Sequence, residues 1–420
     1  MLVPIILAAE GDLDPTFGNN GVVTTTIGAA ATTDRGSGVK VQPDDKILVG
    51  GISDLSTFTI VRYTADGITD TTFGTNGVVT TDFGLGAGGA PQALSLALED
   101  DGRIVAAGGQ ADNIIMARYT TTGQLDATFG SSGIVTTPLA YGLGLVRQSD
   151  GKYLVSTVGN GNAFLLARYD SNGSLDNGFG TNGIVTTTFA SVVNQRLAGL
   201  QSSDQKIVVA GSLTTDQERF LVVRYTTAGA LDATYGTGGM VTTTIGIQAR
   251  PFGIAIDSSN RAIVGGVAAD GVNPIYITLA RYTTAGALDT TFGNNGTITK
   301  TLSLSMTAVS GGLKLDSSGR ILYFGAMGKN VSFNPAGFET FETFVVARFT
   351  TAGALDTSFG NGGVVTTTLG SSAISVLGDL QSTGKIIQVG GIDNDFGVVR
   401  YEVTGTTNSV YLPVTIKNGS

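Results

Sequence analysis

Two residue types recur at a spacing that lets them act together. An arginine stands at Arg62, Arg118, Arg168, Arg224, Arg281, Arg348 and Arg400, each time between Val or Ala and an aromatic residue. An aspartate stands at Asp14, Asp70, Asp126, Asp176, Asp232, Asp289 and Asp356, in a phrase that first reads Leu13-Asp14-Pro15-Thr16-Phe17-Gly18. Each of the first six arginines precedes an aspartate by eight residues. A guanidinium and a carboxylate so placed can share a charge-assisted hydrogen bond, and a ring of them could hold an ionic ligand. Positions common to every repeat are scaffold more often than site, so the pair is expected to tie a strand to the turn that follows it. The aromatic of the aspartate phrase, from Phe17 to Phe359 with Tyr235 as a variant, is expected to pack between neighbouring repeats.

Composition removes most other chemistry. The 420 residues include no His, Cys or Trp. Imidazole-based triads, thiolate nucleophiles, disulfides and zinc sites built on Cys or His are therefore excluded. With 24 Lys and Arg against 33 Asp and Glu the net charge is −9, and no basic run offers a footing for nucleic acid. The acidic groups Asp44-Asp45, Glu99-Asp100-Asp101 and Asp393-Asn394-Asp395 offer oxygen ligands without EF-hand spacing. The first two fall in hairpin turns, where aspartate suits the backbone. No catalytic residue, cofactor or metal ligand is assigned, and the chain is expected not to be an enzyme.

The elements that must carry these residues are strands. The aspartates follow one another at intervals of 56, 56, 50, 56, 57 and 67 residues. Each interval holds four short alternating, β-branched runs separated by Gly or Asp-Gly, as in QALSLALED, RIVAAGG, IIMARYT and GIVTT. Asp-Gly between such runs predicts two-residue type I′ hairpins. Four strands per repeat, seven times over, predicts an all-β fold: a seven-bladed β-propeller of four-stranded antiparallel blades. Arg400 has no aspartate eight residues on, and Asp14 has no arginine before it. The two would complete one another in a ring, with Gly21 to Gly28 (GVVTTTIG) as the outer strand of the last blade.

These phrases resemble the delta-60 repeat, a bacterial β-propeller family of unknown function, through G-x-L-D-x-T-F-G-x-x-G-x-V-T-T and the D-G-K-I-L-V-x-G hairpin. The resemblance spans roughly Asp12 to Gly405 and implies a fold without an activity. Tyr235 for Phe, Phe349 for Tyr and Asn177-Gly178 within one aspartate phrase are the departures.

Domain edges are expected at 1–11, 12–405 and 406–420. The first segment, MLVPIILAAEG, reads as a signal remnant or a docking strand and is too short to span a bilayer. The last carries an alternating strand pattern through Val410, Tyr411, Leu412, Val414 and Ile416, and resembles the Y-L-P tails of Chloroflexi surface proteins. The longest interval holds a loop with Phe333, Phe338 and Phe341, a candidate interaction surface. The expected function is a non-catalytic, extracellular or cell-surface building block of a bacterium that associates with copies of itself through its terminal strands. The alternatives are a propeller binding a surface glycan or peptide on the loop face and, less favoured, a carboxylate-dependent enzyme acting on polysaccharide.

Overall fold

The structure is a computed structural model that describes residues 9–28, 34–53, 57–83, 92–110, 112–139, 142–158, 162–189, 191–201, 204–271, 275–301, 307–309, 311–328, 342–370 and 372–403. Among these the regular elements are strands, without a helix. The first complete sheet runs Arg35–Val41, Ile47–Ser53, Thr57–Tyr63, Val78–Thr81 in sequence order, every neighbour antiparallel. Two further sheets repeat it, Gln92–Leu98 to Ile134–Thr137 and Gly142–Arg147 to Ile184–Thr188. The β-propeller expectation is met: sheet after sheet meanders in the same order.

Val22–Thr25 does not pair with its sequence neighbours. It pairs antiparallel with Asp395–Tyr401, so the first strand completes a sheet whose other members, Ala373–Leu380, Ile386–Ile392 and Asp395–Tyr401, end the described chain. Two sheets depart from the expected four strands. Val192–Gln201 through Met240–Thr243 joins Gln248–Ile256 through Thr297–Lys300 in one eight-stranded sheet, linked by a single parallel bridge between Glu218 and Gln248. The sheet ending at Val364–Thr368 has five, because its innermost strand is split into Thr307–Val309 and Leu313–Leu315 around Gly311 and Gly312. A Cβ at Gly311 would lie 1.3 Å from the Phe324 carbonyl oxygen, so only glycine allows the chain to approach there.

Innermost strands elsewhere carry the same irregularity as a bulge, at Gly36/Gly38, Gly142/Gly144, Pro251/Gly253 and Ser375/Leu377. The extra residue increases local twist, as strands crowding together near an axis require. These inner strands touch in an unbroken circuit that passes from Arg35–Val41 through each following sheet to Ala373–Leu380 and back.

The core lies between sheets, not within one. Leu48, Phe58 and Ile60 pack on Leu96, Ile104 and Ile115 of the next sheet, and the last such layer sets Val389 and Val398 against Val39, Val49 and Val61. Middle strands are thus covered on both faces, which is why Ile47–Ser53 and Thr57–Tyr63 are almost wholly buried while Val78–Thr81 is only half so. Each buried Leu, Ile, Val or Phe contributes about 1.5–3 kcal/mol.

The hairpin turns differ from expectation. In Glu99-Asp100-Asp101-Gly102, only Gly102 has positive φ (85°), with Gly102 N–H bonded to the Glu99 carbonyl at 3.0 Å. A type I turn followed by one left-handed residue replaces the type I′ turn, and elsewhere Asp45, Gln205 or Asn260 takes that left-handed place. Residues 10 and 11, beside the expected edge at 11/12, are hydrogen-bonded to the sheets. Glu10 O accepts from Gly360 N–H at 2.8 Å and Gly11 N–H donates to Glu402 O at 2.7 Å, binding both residues into the ring. The phrase Gly11-Asp12-Leu13-Asp14 repeats Gly67-Ile68-Thr69-Asp70, glycine three before aspartate, so the signal was present in the spacing.

Candidate functional site

The repeated arginines sit at the end of the third strand of each sheet, where the chain turns toward the fourth. Their Nε atoms meet the aspartate eight residues on: Arg62–Asp70 at 2.9 Å, Arg118–Asp126 at 2.8 Å, Arg168–Asp176 at 2.7 Å, Arg224–Asp232 at 2.7 Å, Arg281–Asp289 at 2.9 Å and Arg348–Asp356 at 2.8 Å. Arg400 Nε lies 2.6 Å from Asp14 Oδ2. Every pair is buried or nearly so.

Each guanidinium does more than hold its aspartate. Nη1 of Arg62, Arg118, Arg168, Arg224 and Arg281 donates to the carbonyl of Thr121, Ser171, Thr227, Thr284 and Thr351 in turn, at 2.5–2.7 Å, and Arg400 donates to Ala65 O. Those carbonyls belong to the next four-strand repeat, so the charge staples neighbouring repeats together. Beside it runs a backbone bond from Gly74 to Thr122 O, repeated from Gly18 to Asp66 O and from Gly360 to Glu10 O. The aromatic of each phrase lies under the guanidinium, from Arg168 over Phe179 at 4.4 Å to Arg118 over Phe129 at 4.8 Å, adding cation–π attraction. Its other side is closed by the next turn's glycine: a Cβ at Gly123 would come 3.0 Å from the Phe73 ring.

A third group, not singled out by sequence, joins each pair. The Lys or Arg after every hairpin turn reaches the same aspartate: Lys46–Asp70 at 3.3 Å, Arg103–Asp126 at 2.8 Å, Lys152–Asp176 at 2.9 Å, Lys206–Asp232 at 3.0 Å, Arg261–Asp289 at 2.9 Å, Arg320–Asp356 at 3.4 Å and Lys385–Asp14 at 2.6 Å. The cation of the D-G-K-I phrase was the available signal. Its distance to the aspartate along the chain varies with the intervening loop, which hides the relation in one dimension.

The electrostatics follow. Burial pushes the Asp70 carboxyl up, but the hydroxyl and N–H of Thr72, with Lys46 and Arg62, outweigh it and hold Asp70 at about 2. At Asp289 the Thr291 hydroxyl is the largest influence, opposed by burial, and the result is again about 2. Asp14, Asp126, Asp232 and Asp356 are likewise held below the ordinary carboxylate range. Gly178 stands where the other phrases carry Thr or Ser, so Asp176 receives only its N–H, at 3.0 Å. Such carboxylates are ionised at neutral pH and fully engaged, which suits staples and not general acids.

A second bond crosses six of the junctions. The Tyr following the repeated arginine reaches a Thr on the outer strand of the preceding repeat: Tyr63 to Thr25, Tyr119 to Thr81 and Tyr282 to Thr243 at 2.7 Å, Tyr169 to Thr137 and Tyr225 to Thr187 at 2.8 Å, and Tyr401 to Thr367 at 3.0 Å. The departure at Phe349 is explained here. By register Lys300, opposite Ile277, holds the place of Thr81, opposite Phe58, so both partners are missing from one interface.

The acidic groups are engaged in turns. Asp45 accepts from Ser382, Asp100 pairs with Arg147 and Asp393 accepts from Ser372 N–H. Among the described residues no group of three or more acidic residues is placed to hold a metal ion. Phe333, Phe338, Phe341, Val410, Tyr411, Leu412, Val414 and Ile416 lie outside the described residues, as does residues 1–8 of the apolar N-terminal segment. Among the described residues no helix is long and apolar enough to cross a membrane.

Four segments, 42–73, 99–129, 148–179 and 202–235, match the family described as "Domain of unknown function (DUF5122) beta-propeller". They are repeats of that family, as the delta-60 resemblance implied. Each match starts at or beside a hairpin turn and ends on the aromatic under the guanidinium, so the family's unit contains the staple itself. No curated protein sequence matches the chain. Among solved structures, the chain is similar to a catalytically inactive histidine-to-alanine variant of virginiamycin B lyase from Staphylococcus aureus with quinupristin, at 14% identity and TM-score 0.52 over 91% of this chain and 99% of that one. Drosophila Semaphorin 2a is similar at 8% identity and TM-score 0.50 over 94% and 76%. Identities this low show a shared fold alone.

Proposed function

We propose that this chain of DUF5122 repeats is a seven-bladed, closed ring that serves as a non-catalytic, extracellular or cell-surface building block of a bacterium, associating with copies of itself through its terminal segments. One observation carries the reading. The most regular charged residues are all spent on holding one sheet to the next, and the same Arg–Asp contact joins the two ends at Arg400 and Asp14. Seven blades account for the inner-strand circuit if the eight-stranded sheet is two blades touching at Glu218 and Gln248. Such a ring is stiff, because opening it anywhere breaks an ion pair, an aromatic contact and a buried layer together.

A lyase activity has less support. The virginiamycin B lyase variant described as inactive lacks a histidine, and this chain contains none. Negative-stain microscopy of the full chain beside a variant ending at Asn408 tests the proposal. Fibres or sheets that vanish on truncation support it, whereas single rings in both samples overturn the assembly.

A further inference from the structure

The staples consume the repeated charges, and the Lys40 ammonium takes part in none of them. Lys40 lies on the innermost strand Arg35–Val41 and is half-buried. It borders a cavity of ≈ 560 Å³ that Lys314, Asp379 and Arg147 of three other inner strands also line. Lys314, Asp379 and Arg147 are all satisfied locally. Asp379 Oδ1 is 2.5 Å from Lys314 Nζ, and its Oδ2 accepts the Val41 N–H at 3.0 Å. Arg147 is held by both oxygens of Asp100, at 3.0 and 2.9 Å. The Lys40 ammonium has no hydrogen bond or ion pair among the described residues, although its backbone pairs in the ladder opposite Leu48.

The charges facing Lys40 are Asp379 and Lys314. Burial lowers its pKa, Lys314 lowers it further, and Asp379 opposes both. Three cations against Asp379 and Asp100 leave one positive charge unmatched. A half-buried ammonium with no partner is costly, and a monoanion would relieve it. The rest of the wall is apolar, with half-buried Leu98, Leu145 and Leu380. A dianion would exceed the surplus charge and meet the Asp379 carboxylate, while a small inorganic anion would leave the leucines against water. The volume is that of a small-molecule site.

We propose that this cavity binds a small monocarboxylate with an apolar body, its carboxylate on Lys40 and its hydrocarbon against the leucines. The site is independent of self-association, so either idea can fail without the other. The probes are hexanoate and its neutral isostere hexanamide, titrated calorimetrically into the full chain. Hexanoate binds at one site per chain, and hexanamide binds at least about tenfold more weakly. Lys40→Met loses hexanoate binding by a similar factor, while Lys40→Arg keeps it. Affinity declines on raising the pH through a lower range than that of an ordinary lysine, because Lys40 must be protonated to bind.

A second readout needs no variant. With limiting acetic anhydride, Lys40 of the unmodified chain is acetylated ahead of exposed lysines and hexanoate protects it, as peptide mass spectrometry will show. The proposal is overturned if hexanamide binds as well as hexanoate or no saturable binding occurs. It is also overturned if folded Lys40→Met binds like the parent, or if bound hexanoate leaves Lys40 acetylation unchanged.

Discussion

Arg400 Nε and Asp14 Oδ2, from opposite ends of the described chain, stand 2.6 Å apart in the contact that elsewhere joins residues eight positions apart. The closing sheet therefore depends on a pair that no local hairpin enforces. Removing one member of a buried pair costs about 3–5 kcal/mol. Asp14→Ala should destabilise the chain by that order and speed amide exchange at Val22–Thr25 and Asp395–Tyr401. Asp70→Ala should destabilise it while sparing exchange there. Equal exchange at those strands in both variants would remove the special role of the latch.

The interface of Phe349 with the outer strand carrying Lys300 lacks both halves of the Tyr–Thr bond. A hydroxyl added alone would be buried without an acceptor, a loss of about 1–3 kcal/mol. Phe349→Tyr should therefore lower stability, and adding Lys300→Thr should restore it. Denaturant melts of the two singles and the double give the coupling. Additive effects would show that the two positions do not meet.

Tyr235 is 1% exposed beneath Arg224, and its hydroxyl has no hydrogen-bond partner. Burial raises its pKa and no acceptor relieves the O–H. Tyr235→Phe restores the residue found at the other junctions and should stabilise the chain by about 1 kcal/mol. A melting temperature lowered by this change would mean that the hydroxyl is satisfied in solution.

Acid should unfold the ring in a defined window. The aspartates of the staples have folded-state pKa values below the ordinary 3.8, with Asp70, Asp176 and Asp289 at about 2. Below that ordinary value the unfolded chain binds more protons than the folded one, so stability falls as pH falls. The contribution is complete well above 3.8 and is lost as the pH descends through about 2. Melting temperatures should be nearly level between pH 7 and 5 and drop steeply under pH 4, with net proton uptake on unfolding. A level profile down to about pH 2 would contradict the ionised staples.

Much of this architecture was legible because repetition writes the same short-range relation many times. The eight-residue Arg–Asp spacing bridges one turn, and its unpaired copies, Asp14 and Arg400, point to closure from sequence alone. Gly11 stands three before Asp14 as Gly67 does before Asp70, and its N–H bonds Glu402 O although the residues upstream of it are apolar. The Asp-Gly pair by itself predicts a type I′ hairpin. The hydrogen bond to Glu99 instead gives Gly102 the one left-handed position.

Strand type, repeat unit and the identity of the stapling residues thus follow from local spacing, since each rests on backbone geometry within a few residues. Which carbonyl Arg62 reaches, why Phe349 and Lys300 change together, and why Lys40 stands among Arg147, Lys314 and Asp379 follow only from the circuit of sheets. Those contacts join different repeats, and a ring brings them together by the angle between sheets, a quantity that no spacing along the chain contains.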